Sequence, residues 1–273
     1  MRLDAMFAEQ VWKAGFVLVC AIILAFLVLP TLIIVPFSFN TEPYFSYPIP
    51  GYSVRWYDEF FRSDAWRGSL VNSLIVAIPT MALSTVLGTL AAIGLTHQNF
   101  PLKGLVVGLF MSPMMIPHII IGLGLFFLYV KIGIVHTFIG MILAHTTLAA
   151  PFVVLTVTAT LVNFDTNLIR AAAIHGAAPL SVFRRIILPL ILPGVLSGAL
   201  FAFVVSFDEL IVALLISGAE RRTLPRQIWS GIREEISPVI MVVATLLTAL
   251  ATVLMVLTEW FRRRNERLQT RVR

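Results

Sequence analysis

The chain has 273 residues, of which 59% are apolar and only 12% are charged, and its mean hydropathy is +0.94. This composition excludes an ordinary soluble globular protein and indicates an integral membrane protein. The formal net charge of +6 suits an anionic membrane surface and requires no nucleic-acid partner. The single cysteine, Cys20, excludes an internal disulfide and a multi-cysteine metal site, so we expect no bound metal.

Six apolar blocks are long enough to cross a bilayer, whose hydrocarbon core of roughly 30 Å needs about 20 residues of helix. They predict an all-α membrane protein with six transmembrane helices. The first block is too long for the core of a signal peptide, so we interpret it as a retained span. The predicted spans cover residues 16–37, 70–95, 105–130, 134–162, 186–217 and 238–258.

Basic residues predict the orientation of these spans. With a cytoplasmic N-terminus, 12 of the 20 Lys and Arg residues lie on the cytoplasmic side and 8 lie outside. The positive-inside rule therefore favours an N-in, C-in arrangement. Six of the 12 are arginines in the tail after Phe261, which we interpret as an anchor on anionic lipid.

Two outer loops combine aromatic and charged residues. Residues 52–66, YSVRWYDEFFRSDAW, have apolar side chains at helical spacing with charges between them. This pattern predicts either a helix in the membrane interface or a docking surface for a soluble partner. Residues 218–238 share the mixture of Pro, Trp and charge, so both loops are candidates for contact with a periplasmic protein.

The third span contains the segment FMSPMMIPHIIIGLG, in which Pro113 and Pro117 are expected to kink the helix. Freed carbonyl groups at that depth must be buried in protein or face a water-filled cavity. Met114, Met115 and His118 are therefore candidates for a substrate pathway. The alternative is that the methionines fill packing gaps and the histidine is a satisfied group inside the bundle.

The fifth span contains two adjacent acids, Asp208 and Glu209. They are expected roughly 13 Å from the outer end of the helix, where a charge needs a partner or a pathway. Neighbouring residues on a helix point about 100° apart, so one acid is predicted to face a cavity and the other an adjacent helix. Either the pair attracts a cationic substrate, or it is a structural pair bonded to Ser, Thr or Arg of a neighbouring helix.

Residues 168–194, LIRAAAIHGAAPLSVFRRIILPLILPG, interrupt the apolar pattern. Asp165 is placed to cap a short helix, and Gly176 is placed to end it in the left-handed conformation. A second helix is predicted to start at Pro179, but Ala178 gives it no side-chain cap. The result is a helix, glycine hinge and helix on the cytoplasmic side, with a small face that permits close approach of another surface.

Catalytic motifs are absent from the sequence. It contains no G-x-x-x-x-G-K-[ST] phosphate loop, no H-E-x-x-H and no G-x-S-x-G. The chain is therefore interpreted as a transport subunit without an ATPase site of its own. Uphill transport would draw its energy from a partner or from an ion gradient.

The hinged stretch resembles the EAA loop of ABC importer permeases, whose pattern is E-A-A, three residues, Gly-Ala and, further on, a Leu-Pro pair. Ala171, Ala172, Gly176, Ala177 and the pair Leu188-Pro189 fall on or near that pattern. Segments such as RWYDEFF, NSLIVA, MSPMMIP, APFVV, SFDEL and TLPRQIWSGI extend the similarity to the C-type subunit of spermidine/putrescine permeases.

This resemblance implies one transmembrane domain over residues 1–273 with the type I ABC importer fold. It also implies three partners: a second permease, an ABC ATPase dimer that holds ATP and Mg²⁺, and a periplasmic substrate-binding protein. The chain itself would lie in the bacterial inner membrane. Residues 163–188 would form the coupling loop. Its contact residues would be Arg170, Ala171, Ala172, Gly176, Ala177, Phe183, Leu188 and Pro189.

One position departs from the pattern. Arg170 occupies the place of the motif's glutamate, so the charge at this ATPase contact is reversed. The solute implied is small and cationic, while opines, aminophosphonates and ferric iron are alternatives within the family. A different class, an ion-coupled secondary carrier using Asp208, Glu209 and His118, would show inverted-repeat symmetry, which the sequence does not display.

Overall fold

A computed structural model describes residues 2–44, 46–96, 101–162, 167–234 and 237–270. The protein is 82% helical, and the described residues form no strand, which confirms the predicted all-α class. The helices are α1 (Arg2–Phe37), α2 (Arg55–Arg62), α3 (Asp64–Thr96), α4 (Lys103–Met115), α5 (His118–Ile132), α6 (Phe138–Val162), α7 (Asn167–Ile174), α8 (Pro179–Val182), α9 (Leu188–Phe207), α10 (Ile211–Ile216), α11 (Leu224–Glu234) and α12 (Val239–Thr270).

Five helical segments of the described chain are long and apolar enough to cross a membrane, and the number is six when the bent pair α4 and α5 is counted as one broken span. Each of these segments overlaps one of the six predicted apolar blocks. Two of the blocks differ from a simple spanning helix, and both differences lie at predicted site residues.

The third block is two helices rather than one kinked helix. α4 and α5 meet at an angle of 106°. Pro117 lacks a backbone N–H and restricts the residue before it, and Ile116 is accordingly extended, with ψ 132°. Pro113 lies inside α4 without ending it, so only one of the two predicted kinks is a break.

The fifth block is not the uninterrupted helix expected from residue 186 to residue 217. α8 continues through a π turn, Phe183–Ile187, into α9 and gives one helical path from Pro179 to Phe207. The path then stops, and α10 begins at Ile211. Asp208 and Glu209 therefore occupy a helix break instead of adjacent positions on one helix.

The chain divides into two compact units. The first contains the residues up to Ser63 together with Gly231–Thr252. In it α2 buries Trp56 and Phe60, and the Trp56 indole N–H donates to the Asn40 carbonyl at 2.6 Å. The predicted aromatic helix is therefore present, although it covers only Arg55–Arg62.

The second unit contains Asp64–Ser230 together with the residues from Val253. Its core lies where α3, α6 and α9 meet around Val153, which is fully buried. A Cβ atom added at Gly88 of α3 would lie 2.6 Å from Val153 Cβ, and one added at Gly198 of α9 would lie 3.1 Å from Val153 Cα. Small residues thus let the helices approach closely, as in other membrane bundles, and this packing fixes α9 just before its break.

Residues Leu224–Ser230 of α11 also belong to this second unit. The mixture of Pro, Trp and charge in residues 218–238 does not predict this helix. The prediction of a single transmembrane domain over residues 1–273 stays a prediction.

Candidate functional sites

The hinged stretch folds as predicted around Gly176. α7 ends in a Schellman motif, in which the Gly176 N–H donates to the Ala173 carbonyl and the Ala177 N–H donates to the Ala172 carbonyl, both at 3.0 Å. Gly176 has φ +75°, the left-handed conformation that a glycine adopts without strain. The N-cap predicted at Asp165 and the first four residues of the predicted coupling loop, 163–166, lie outside the described residues.

Beyond the glycine, the chain restarts at Pro179, the first residue of α8. Ala178 is extended, and its methyl group cannot accept a capping hydrogen bond, as expected. Because α8 has no break before α9, the second helix of the hinged stretch is the start of the fifth block. The second helix predicted from Pro179 is present, and it continues without a break into α9.

The hinged stretch presents apolar side chains to its surroundings. Ile174 is 84% exposed and Leu180 is 60% exposed. Arg170, Ala171, Ala177 and Pro189 are also exposed, whereas Ala172, Phe183 and Leu188 are half-buried. Exposed apolar groups next to a cation and small residues are typical of a protein contact surface.

The two helix breaks meet through one carboxylate. Glu209 is buried, with its side chain 5% exposed. Its Oε1 accepts a hydrogen bond from the Val212 N–H at 3.0 Å, which satisfies a free donor at the start of α10. Its Oε2 lies 3.0 Å from Nδ1 of His118, the first residue of α5.

The other predicted pathway residues lie near these breaks. Asp208 is exposed, and its carboxylate has no hydrogen-bond or ion-pair partner within the part of the chain that the structure describes. Met114 and Met115, at the end of α4, are 42% and 84% exposed. The structure therefore joins His118 to Glu209 directly and places the methionines at the same helix break as His118.

Two polar contacts in the second compact unit are not predicted from the sequence. His145 of α6 is 1% exposed, and its Nδ1 lies 2.9 Å from the Ser206 hydroxyl, next to the end of α9. Arg226 of α11 donates to the carbonyls of Ser217 and Gly218, just after α10. A single histidine or arginine outside any motif does not predict its contact partner, so these contacts become visible only in the fold.

The contact at Arg226 has an electrostatic consequence. Burial first, and the nearby positive charge of Arg222 second, lower the pKa of the Arg226 guanidinium. An arginine still remains charged at physiological pH. Arg226 therefore acts as a fixed cation on the carbonyl end of α10, where the helix dipole favours positive charge.

A comparison with protein families matches residues 84–267 to the binding-protein-dependent transport system inner membrane component. The chain belongs to this family. It is thus a permease subunit of an ABC importer, which confirms the resemblance seen in the hinged stretch. Its place is the inner membrane.

Relatives of this permease extend over most of its length. It is 34% identical to the spermidine/putrescine transport system permease protein PotC of Haemophilus influenzae, covering 89% of this chain and 95% of that protein. It is also 34% identical to the putrescine transport system permease protein PotI of Escherichia coli, covering 81% of each.

Solved structures show the fold of the permease. A bacterial ABC transporter involved in alginate import matches with a TM-score of 0.71 at 14% identity, covering 91% of this chain and 95% of that one. An amino acid ABC transporter matches with a TM-score of 0.58 at 16% identity, covering 77% of this chain and 98% of that one. The predicted type I importer fold is confirmed.

Proposed function

We propose that this permease pairs with a second permease on an ABC ATPase dimer and imports a small cationic solute of the polyamine class. A periplasmic binding protein would deliver the solute, and ATP with Mg²⁺ would be held by the ATPase and not by this chain. In this proposal the chain lies N-in and C-in, and residues 1–273 act as one transmembrane domain.

The observation that carries the proposal is the uninterrupted helical path from Pro179 to Phe207. It contains 29 residues, which correspond to about 43 Å of helix. It joins the exposed hinged stretch at one end to the break at Asp208 and Glu209 at the other. A push on the hinged stretch would therefore be transmitted to the acids along this continuous helical path, the α8–α9 rod.

The contact with the ATPase is assigned to the exposed hinged stretch. Arg170, Ala171 and Ala172 of α7 would face the ATPase groove, and Gly176 with Ala177 would set the angle to the next helix. The coupling set is completed by Phe183, Leu188 and Pro189. The exposure of Ile174 and Leu180 supports this assignment, because such side chains gain free energy when a partner covers them.

The solute class rests on charge and on the relatives. Asp208 offers an exposed carboxylate at a helix break in the apolar fifth block, where a protonated amine is a suitable counter-charge. The similar permeases are named for spermidine and putrescine. Met114 and Met115 are assigned to the same pathway, and His118 lies at the helix break beside them.

Purification from native membranes followed by reconstitution tests this function. We expect an ATPase and a second permease to co-elute with the chain, and the complex in liposomes to take up radiolabelled spermidine or putrescine only with ATP and a binding protein. Uptake by the chain alone would contradict the proposal. Uptake of an anionic solute, with no polyamine uptake, would overturn the solute class.

A further inference from the structure

Two helix starts in the second unit lie at breaks and share one side chain. α5 starts after Pro117, at the 106° bend, and α10 starts after the stop at Asp208. The Glu209 carboxylate uses one oxygen on the Val212 N–H and the other on His118, each at 3.0 Å. Both of its oxygens are therefore engaged within the protein.

α5 and α10 are also packed against each other beyond their starts. A Cβ atom added at Gly122 of α5 would lie 2.7 Å from Leu215 Cδ1 and 3.6 Å from Val212 Cα. Four residues beyond the end of α5, the His136 backbone N–H donates to the Ile216 carbonyl at the end of α10, at 3.0 Å. The two helices are thus in contact at their starts and along their length, and the segment after α5 is bonded to the end of α10.

A buried carboxylate in an apolar environment is costly unless it is paired and hydrogen-bonded. Glu209 accepts a hydrogen bond from the Val212 N–H and contacts the His118 imidazole, whereas Asp208 is exposed and has no such partner among the described residues. The two adjacent acids therefore differ in whether their carboxylate oxygens are available to bind a solute. Glu209 has no free oxygen directed to a pathway, and Asp208 has a whole carboxylate.

We propose that Glu209 is a positioning residue, which with His118 forms a latch that makes α5 and α10 move as one body at the two helix breaks. The Glu209–His118 pair does not bind the solute. Instead it keeps the two broken spans in register while the α8–α9 rod moves, and it leaves solute binding to Asp208. This inference deepens the proposed transport function.

A kinetic comparison separates the latch from a ligand. Glu209→Gln removes the charge and keeps an acceptor for the Val212 N–H, and His118→Ala removes the partner. In the reconstituted complex we expect each variant to lower kcat for uptake by about tenfold, with KM changed by less than about twofold. The double variant should be no slower than the slower single variant, because both changes break the same contact.

A disulfide between α5 and α10 tests whether a new link can replace the lost Glu209–His118 contact. In a Cys20→Ser background, Gly122→Cys and Val212→Cys bring two sulfurs onto positions compatible with a disulfide, since the Gly122 Cβ site lies 3.6 Å from Val212 Cα. The flexible tip of Leu215 must shift to admit the new side chain. We expect this disulfide to restore uptake in the His118→Ala variant and a reducing agent to abolish the rescue.

A raised KM in Glu209→Gln, like that expected for Asp208→Asn, would overturn the proposal by making Glu209 a ligand. The proposal would also be overturned if the disulfide forms and uptake by the His118→Ala variant stays as slow as without it.

The rate of disulfide formation gives a readout that needs neither ATPase nor solute. It is measured in membranes by thiol alkylation and mass. We expect slower formation when His118→Ala is present, and an equal rate would contradict the latch even if the proposed transport function fails.

Discussion

Adjacent acids have different chemical environments at the end of α9. Glu209 turns into the protein, where it meets a backbone N–H and an imidazole at 3.0 Å. Asp208 stays exposed at the same break. A protonated amine would lose part of its hydration on entering an apolar pathway, and an unpaired carboxylate can replace that hydration with a charge-assisted hydrogen bond.

Asp208→Asn tests the solute contact of this carboxylate. The substitution keeps the size and removes the charge, so we expect KM for a polyamine to rise about tenfold, equivalent to about 1.4 kcal/mol of binding. Initial uptake rates at varied solute concentration give this value, with membrane accumulation of the chain as a check on assembly. Asp64→Asn is the matched control, because Asp64 is an exposed acid that pairs with nearby Arg67. Unchanged KM in Asp208→Asn would return this acid to a structural role.

Arg170 sets the charge of the proposed ATPase contact. It is exposed on α7, in the place where the family pattern has a glutamate. If the partner ATPase is adapted to a cation, Arg170→Glu should weaken binding of the purified ATPase about tenfold, although it restores the family residue. Arg170→Lys keeps the charge and should bind nearly as well as the native chain. Equal or tighter binding of the Arg170→Glu variant would show that this contact does not depend on the positive charge.

The Gly176 hinge leads directly into the α8–α9 rod, with Ala177 and Ala178 between them. α7 ends at the left-handed Gly176, and α8 continues through its π turn into α9. A Cβ atom at Gly176 would meet nothing within 4 Å. Within this chain a Cβ atom at Gly176 is not crowded, so a substitution there acts on the fold through the backbone conformation.

Gly176→Pro is expected to uncouple ATP hydrolysis from uptake. Proline fixes φ near −65° and removes the N–H that donates to the Ala173 carbonyl, so the Schellman motif cannot form. The measurement is the number of ATP molecules hydrolysed per solute taken up, which should rise while the chain still inserts. Gly104→Ala is the control, since Gly104 also has open space around it but lies in regular helix. An unchanged ratio for Gly176→Pro would remove the hinge from the coupling mechanism.

Sequence patterns predict the elements of this fold better than its breaks. The apolar blocks and the Gly176 hinge depend on local chemistry, so they are visible in the sequence. The interruption at Asp208 lies in the segment SFDELI, which contains neither Gly nor Pro. It is stabilised by the distant His118, and a contact between remote residues leaves no local signal. Pro117 indicates a kink, but proline alone does not set a bend of 106°.

At the scale of the whole molecule, burial is uneven among the spans. α6 has 61% of its most apolar window buried, whereas the corresponding window of α1 has 0%. α6 is therefore the central element of its unit. The uncovered apolar surface of α1 must meet lipid or another chain, and this requirement agrees with a subunit that works within a membrane assembly.

The orientation of the molecule determines whether the hinged stretch can reach an ATPase at all. In a Cys20→Ser background, a cysteine at Tyr47, which is 89% exposed, should react with a membrane-impermeant maleimide in intact cells. A cysteine at Ala177, also exposed, should react only after the membrane is permeabilised. The physical reason is the excess of Lys and Arg on the side that holds Ala177, which resists translocation. The cysteine-free chain controls for background labelling. Labelling of the Ala177→Cys variant in intact cells would place α7 outside, and since ATP is available only in the cytoplasm, coupling through this stretch would then be impossible.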